Sequence, residues 1–284
     1  MAHPAHPARS RPGGRPTGFP DELVERVLAD ALSVPGSPAI YAITGMQGSG
    51  KSTLARQLVR AAHARGVRAA ALSIDDFYLT RHERLALGRS VHPLLATRGP
   101  PGTHDVALAC RVLDGLRALA PGDCLPVPRF DKLADRRLPP SRWPQVRGAL
   151  DLIIFEGWFI RVPPQAASAL RRPVNRLERD EDPDGAWRGY CNAALADYAP
   201  LWQRIDRLLW LRGPGFAVVP GWRLQQEATL VHSRPGRRHA GLSRAQLERF
   251  VQLFERVSRH GQRCLPAIAD LVVRLDAQRC VRFR

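Results

Sequence analysis

Gly45-Met46-Gln47-Gly48-Ser49-Gly50-Lys51-Ser52 is the stretch on which the reading of this chain turns. It matches G-x-x-x-x-G-K-S without a gap. An apolar run precedes it at 39–44 (Ala-Ile-Tyr-Ala-Ile-Thr). An amphipathic stretch follows from Ser52, with Leu54, Leu58, Ala61 and Ala62 on one helical face. Strand, glycine loop and helix form the context that the motif needs. Glycines let the backbone fold into a nest whose N–H groups face phosphate oxygens, and the helix N-terminus adds its dipole. The lysine reaches the β- and γ-phosphates and the serine hydroxyl binds Mg²⁺. Gly45, Met46, Gln47, Gly48, Ser49, Gly50, Lys51, Ser52 and Thr53 are therefore the expected nucleotide-binding residues, with ATP and Mg²⁺ as the expected cofactors.

Outward from this motif the same alternation continues. A helix is predicted at 21–32, and Gly66 stands where a left-handed cap would close the helix that begins at Ser52. Further apolar runs at 67–74, 151–155, 207–211 and 271–275 read as strands. Helical patterns cover 105–119, 190–205, 222–232 and 243–259, the last opened by a capping box of Ser243 and Gln246. Continuous apolar strands between helices predict an α/β fold of the P-loop NTPase kind, three layers α/β/α around a mostly parallel sheet. We expect one domain over 21–284. Residues 1–20, with five Pro, three Arg and no acid, read as a disordered basic tail. The stretches 76–104 and 122–149 read as irregular and exceed what a plain connection needs, which marks them as inserted substrate loops.

Acids stand where two of the predicted strands end. In a doubly wound sheet ligands lie beyond the carboxyl ends of the strands. Asp75 and Asp76, which close the run at 67–74, can accept the proton of an attacking hydroxyl or hold Mg²⁺; the plainer alternative is a helix cap or a loop salt bridge. Glu156 follows the run at 151–155. It can bind Mg²⁺ through water or orient a nucleophile, or else sit in a surface salt bridge.

Composition narrows the class further. The chain has 284 residues, 44% apolar and 24% charged, which excludes a disordered or fibrous protein. No apolar run approaches the roughly 18–20 residues of a membrane span. The net charge is +17, and of 43 basic residues all but Lys51 and Lys132 are arginine. Only three of those charges belong to the tail, so the body itself is basic. An arginine-rich surface explains this, and a nucleic-acid-binding P-loop protein is the competing reading. The arginines are dispersed and no recognition motif accompanies them, so no specific nucleic-acid or membrane partner is expected. Where arginine is the default cation, two surviving lysines point to sites that need a compact charge. Five cysteines, an odd number with no C-x-x-C pair, predict a reducing compartment and a cytoplasmic location.

Asp75-Asp76-Phe77-Tyr78 and Glu156-Gly157 after a P-loop resemble the phosphoribulokinase, uridine kinase and pantothenate kinase group. A closer resemblance is to the D-glycerate 3-kinase family. It is carried by Leu72 to Tyr78, His92-Pro93-Leu94-Leu95, Arg98-Gly99, Pro101-Gly102-Thr103-His104-Asp105, Pro128-Arg129-Phe130-Asp131-Lys132, Phe155-Glu156-Gly157-Trp158 and Trp222-Arg223-Leu224-Gln225-Gln226-Glu227, and runs from about residue 38 to the C-terminus. The resemblance implies transfer of the γ-phosphate of ATP to a hydroxyl, that of D-glycerate or alternatively of a nucleoside, pantothenate or a sugar-like metabolite. It implies Lys51, Asp75 and Glu156 as catalytic residues, Asp75 being the base in preference to Asp76. It also implies Ser52, Asp75 and Glu156 around the metal, and Asp76, Tyr78, Arg98, His104, Asp105, Lys132 and Arg223 near the acceptor, with Arg129 a further candidate for its carboxylate. The basic segment 233–239 is expected to act as a lid. The chain departs from the family after Phe250-Val251, where Gln-Leu-Phe-Glu-Arg-Val replaces a Pro- and Tyr-rich stretch.

Overall fold

The structure, a computed structural model, describes residues 18–36, 38–232 and 243–282. Its first half runs α1 (Asp21–Leu32), β1 (Ala39–Gly45), α2 (Lys51–Ala64), β2 (Ala69–Ser73), α3 (Arg81–Ser90) and α4 (Val106–Arg117). Four short strands follow, β3 (Cys124–Pro126), β4 (Phe130–Asp131), β5 (Arg136–Arg137) and β6 (Gln145–Arg147), and then β7 (Leu152–Gly157). Short helices α5 (Ala167–Leu170), α6 (Arg176–Glu181), α7 (Ala186–Ala194) and α8 (Ala199–Trp202) lead to β8 (Arg207–Arg212). Helices α9 (Val219–His232) and α10 (Arg244–Cys264) and strands β9 (Leu271–Leu275) and β10 (Val281–Arg282) complete the chain.

The central sheet has the order β10-β9-β8-β1-β7-β2. All its pairs are parallel except β10 with β9, so the fold is the three-layer α/β/α arrangement that the apolar runs predict. Alternation along β1 feeds two cores. Tyr41 and Ile43 pack with Leu28 of α1 and Leu54 and Leu58 of α2, whereas Ile40 and Ala42 pack with Leu113 of α4 and Leu253 of α10. All these side chains are buried, each contributing about 1.5–3 kcal/mol for the larger aliphatic and aromatic ones.

Three segments differ from the sequence reading. The helix expected over 190–205 breaks into α7, a 3-10 turn at Leu195–Tyr198, and α8, whose first turn holds Pro200, a residue with no N–H to donate. The stretch 76–104 is not irregular: it contains α3, opened by a capping box of Thr80 and Glu83, and a 3-10 turn at Pro93–Ala96. Helix α3 has no apolar stripe to announce it, since its one buried residue is Arg84. The stretch 122–149 folds as two small antiparallel ladders, β3 with β6 and β4 with β5. The expected tail lies outside the described residues up to 17, as does the segment 233–239. Phe19 exchanges two backbone hydrogen bonds with the Gln57 side chain on α2.

Buried charge and aromatic stacking tie the loops to the sheet. Arg256 of α10 grips both carboxylate oxygens of Glu178 (2.7 and 2.6 Å) and the carbonyls of Ala169 and Arg172, with Glu178 fully buried. Asp182, also fully buried, takes the guanidinium of Arg188 and the amides of Trp187 and Arg188. His104 stacks on Tyr78 at 4.5 Å between centroids and shares a 2.7 Å hydrogen bond with the Tyr198 hydroxyl. Burial drives the His104 ring down to about 3, against the attraction of the Asp75 carboxylate, so the folded protein holds it neutral.

Removing one partner strands the other in a dry site, so Glu178→Ala should cost about 3–5 kcal/mol in urea unfolding. An unchanged midpoint would mean that this pair anchors nothing. A second expectation concerns acid. The folded-state value of His104 lies below its ordinary 6.5, so below that pH the unfolded chain binds a proton that the folded one refuses. The stability it contributes is present above pH 6.5 and is lost as pH falls towards about 3. His104→Phe, which keeps a ring on Tyr78, should flatten the acid limb of the stability–pH curve over that window. A curve parallel to wild type would contradict the buried neutral ring.

Candidate active site

Parallel register sets three strand ends side by side. Glu156 of β7 pairs opposite Ile43 of β1 and opposite Ser73 of β2. The chain leaves β1 at Gly45 into the glycine loop. It leaves β2 through a 3-10 turn, Ile74–Phe77, in which the Ser73 hydroxyl accepts the Asp75 amide.

The loop itself depends on glycine where it turns. Gly48 has φ +79°, and a Cβ there would come 2.6 Å from Cβ of Trp222 on α9. Gly50, at φ +96°, caps α2. Lys51 is buried and folds back across the loop, donating to the carbonyls of Gly45 (2.8 Å) and Met46 (3.1 Å). Burial pulls its ammonium below the usual lysine value, while the carboxylates of Glu156 and Asp75 push the other way. The Ser52 hydroxyl donates to Glu156 Oε1 at 2.6 Å. Both side-chain amide atoms of Gln47 are buried without a hydrogen-bond partner among the described residues, so this loop position retains unused donor and acceptor capacity.

Asp75 is held from two sides. Its Oδ1 accepts the Tyr78 hydroxyl at 2.8 Å and its Oδ2 accepts Lys132 Nζ at 2.5 Å. Burial alone would raise this carboxyl, but the Lys132 ammonium and the Tyr78 hydroxyl outweigh it and hold the group well below the usual carboxylate range. Its neighbour behaves differently. Asp76 is pushed up to about 6 by burial, against the pull of Arg129 and the Phe130 amide, which occupy its two oxygens at 3.0 Å each.

A cleft of about 110 Å³ collects most of the expected residues. Gln47, Gly48, Lys51, Ser52, Asp75, Tyr78, Arg98, Lys132, Glu156 and Arg223 all line it. Arg98 is steadied by Asp135 (2.6 Å) and the Phe130 ring, and Arg223 lies over Phe250. Gly45, Met46, Ser49 and Gly50 form the loop without lining the cleft, and Thr53 lines a separate hollow with Phe19. Four further expected residues do not line it, one being Arg129, whose guanidinium is taken by Asp76. Asp76 pins the β4–β5 hairpin, as its partners dictate. His104 stands behind Tyr78. Asp105 caps α4 through the Leu108 amide and pairs with Arg137. Trp158, Gln226, Phe250 and Phe254 line the cleft although the sequence reading gave them no site role. Phe250 and Phe254, four apart on the apolar face of α10, carry the same signal as any core stripe. Trp158 stands two residues after the strand-end acid Glu156, which was a usable signal.

The oxygens of Ser52, Asp75 and Glu156 form a hard donor set suited to Mg²⁺, which takes one or two carboxylates together with phosphate oxygens and water. Among the described residues no cluster of three or more His, Cys, Asp or Glu side chains could hold a metal by itself. A metal here would therefore share its ligands with phosphate.

No protein-family model matches the chain. It is 34% identical over 243 residues to the uncharacterized kinase mug58 of Schizosaccharomyces pombe, covering 82% of this chain and 85% of that one. It is 31% identical over 226 residues to the chloroplastic D-glycerate 3-kinase of Arabidopsis thaliana; the match covers 76% of this chain and 46% of the plant protein, so the chain spans about half of it. The fold is similar to that of a D-glycerate 3-kinase from Cryptococcus neoformans var. grubii, with a TM-score of 0.75 and 24% identity over 92% of this chain and 98% of that one. The chain belongs to the family of P-loop kinases that includes mug58 and the Arabidopsis D-glycerate 3-kinase.

Proposed function

We propose that this kinase transfers the γ-phosphoryl group of ATP to the hydroxyl of a small hydroxy acid, D-glycerate before others, in the cleft between the glycine loop and Asp75. One observation carries the reading: Lys51, Ser52, Asp75, Lys132 and Glu156 line a single hollow of about 110 Å³. A narrow hollow shared with the terminal phosphates favours a short acceptor over a long one. The plant relative is named for D-glycerate.

In this reading the loop amides and Lys51 hold the β- and γ-phosphates. Asp75 accepts a hydrogen bond from the acceptor hydroxyl and orients its oxygen at the γ-phosphorus. The oxygen–phosphorus bond forms as the bond to the β–γ bridging oxygen breaks, ADP leaves, and the hydroxyl proton passes to Asp75. The contacts of Lys132 and Tyr78 keep Asp75 ionised before the acceptor binds, and a loose transition state has little early need for a strong base. Ser52, Glu156 and Asp75 would hold Mg²⁺, which when bound draws charge from the phosphate oxygens. Arg98, Lys132 and Arg223 are cations in the same hollow that suit the acceptor's carboxylate. The free cysteines suit a reducing compartment such as the cytoplasm.

A second reading keeps the chemistry and enlarges the acceptor. Trp158, Phe250 and Phe254 make one wall aromatic, which favours a hydroxy acid with an apolar face.

ADP release measured over hydroxy acids, nucleosides and pantothenate tests the proposal. D-glycerate should exceed every nucleoside in kcat/KM by at least about a hundredfold, since mismatched polar groups carry discrimination of that order. Preference for a nucleoside or pantothenate would overturn it, and preference for a longer acid would favour the second reading. Lys51→Ala and Asp75→Asn should each lower kcat by about 10²–10⁴ with little change in unfolding. Full turnover by Asp75→Asn would remove the base.

A further inference from the structure

Away from the catalytic cleft, a hollow of about 760 Å³ opens beside the carboxyl end of β8, between the turn after α5 and the C-terminal half of α10. It shares no lining residue with the cleft. Its size falls within the roughly 300–1,000 Å³ that holds metabolites. Every charged residue in its wall is an arginine, and no carboxylate enters the wall.

Two of these five arginines are already committed, Arg256 to Glu178 and Arg259 to Glu255. The other three, Arg172, Arg212 and Arg263, have no carboxylate partner among the described residues. Arg212 is steadied by its place over the Trp210 ring, 5.2 Å from the centroid. Like charges gathered on one concave wall repel one another and focus a positive potential into it. An anion with several charges relieves that repulsion, and the guanidinium fork pairs two oxygens at once on carboxylate or phosphate. Concavity separates this group from the arginines dispersed over the rest of the surface.

The hollow also reaches the glycine loop from behind. Gln262 in its wall donates to the Met46 sulfur at 3.4 Å. Gly213, also in the wall, sits so close to Met46 that a Cβ there would lie 2.8 Å from the Met46 methyl. An occupant would therefore lie one residue away from the loop on which the nucleotide is held.

We propose that this hollow is a binding site for a small multivalent anion, distinct from the catalytic cleft, with Arg172, Arg212 and Arg263 as its recognition residues. Calorimetric titration of the whole protein saturated with Mg²⁺ and a non-hydrolysable ATP analogue tests this, with citrate as the polycarboxylate probe and fructose 1,6-bisphosphate as the phosphate-ester probe. We expect one of them to bind one-to-one with the nucleotide in place. Arg172→Ala with Arg263→Ala should weaken it by about tenfold per lost charge-assisted contact, and basal turnover should stay unchanged. Arg212→Gln, read separately, should weaken it as well. Binding of citrate alone assigns a polycarboxylate, and binding of the bisphosphate alone a phosphate ester. The proposal falls if neither probe binds, if binding survives all three substitutions, or if the nucleotide analogue abolishes it. It falls equally if a single-stranded RNA oligonucleotide binds more tightly with the same arginine dependence, since the hollow would then be part of a polyanion track.

Discussion

The site rests on the parallel pairing of β1, β7 and β2. A register that sets Glu156 opposite both Ile43 and Ser73 brings three strand ends to one level. The glycine loop, Asp75 and Glu156 are then neighbours although more than a hundred residues separate the first from the last. Slipping β7 by one residue would turn Glu156 to the other face and exchange the side chains that Ile153 and Phe155 give to one core for those that Leu152 and Ile154 give to the other. The apolar faces of Ile153 and Phe155 on one side, and Leu152 and Ile154 on the other, therefore fix the geometry of the candidate site as well as the stability.

Charge is handled differently in the body and in the cleft. Arginine supplies the structural cations, as in the buried fork of Arg256 on Glu178 and of Arg188 on Asp182. The only two lysines of the chain both line the candidate cleft. Lys51 folds over two carbonyls and Lys132 meets one carboxylate oxygen. A compact ammonium can shift from such contacts to a phosphate or an acceptor with a rotation of its stem, whereas a fork held by several planar bonds is harder to release.

The glycine loop, the strand-end acids and the sheet were legible in the sequence because each rests on a local signal: a fixed motif, an acid after an apolar run, continuous hydrophobicity between turn residues. Helix α3 was not legible, since it buries an arginine in place of an apolar stripe. The aromatic wall was hidden for the opposite reason. Phe250 and Phe254 lie on a stripe that also packs the core, and periodicity cannot tell the end that faces a cleft from the rest. Asp76, His104 and Asp105 belong to the segments that carry the family likeness, yet their side chains are taken by Arg129, Tyr198 and Arg137. Adjacency in a motif does not say which side chain faces the ligand.

In the site we propose, one carboxylate, Asp75, and one glycine loop address the same phosphorus. A crystal structure with Mg²⁺, a non-hydrolysable ATP analogue and D-glycerate tests it most directly. An Asp75 oxygen should lie within hydrogen-bond reach of the acceptor hydroxyl, with that hydroxyl in line with the γ-phosphorus and its bridging oxygen. An acceptor bound on the far side of the γ-phosphate, with Asp75 still tied to Lys132 and turned away from it, would contradict it.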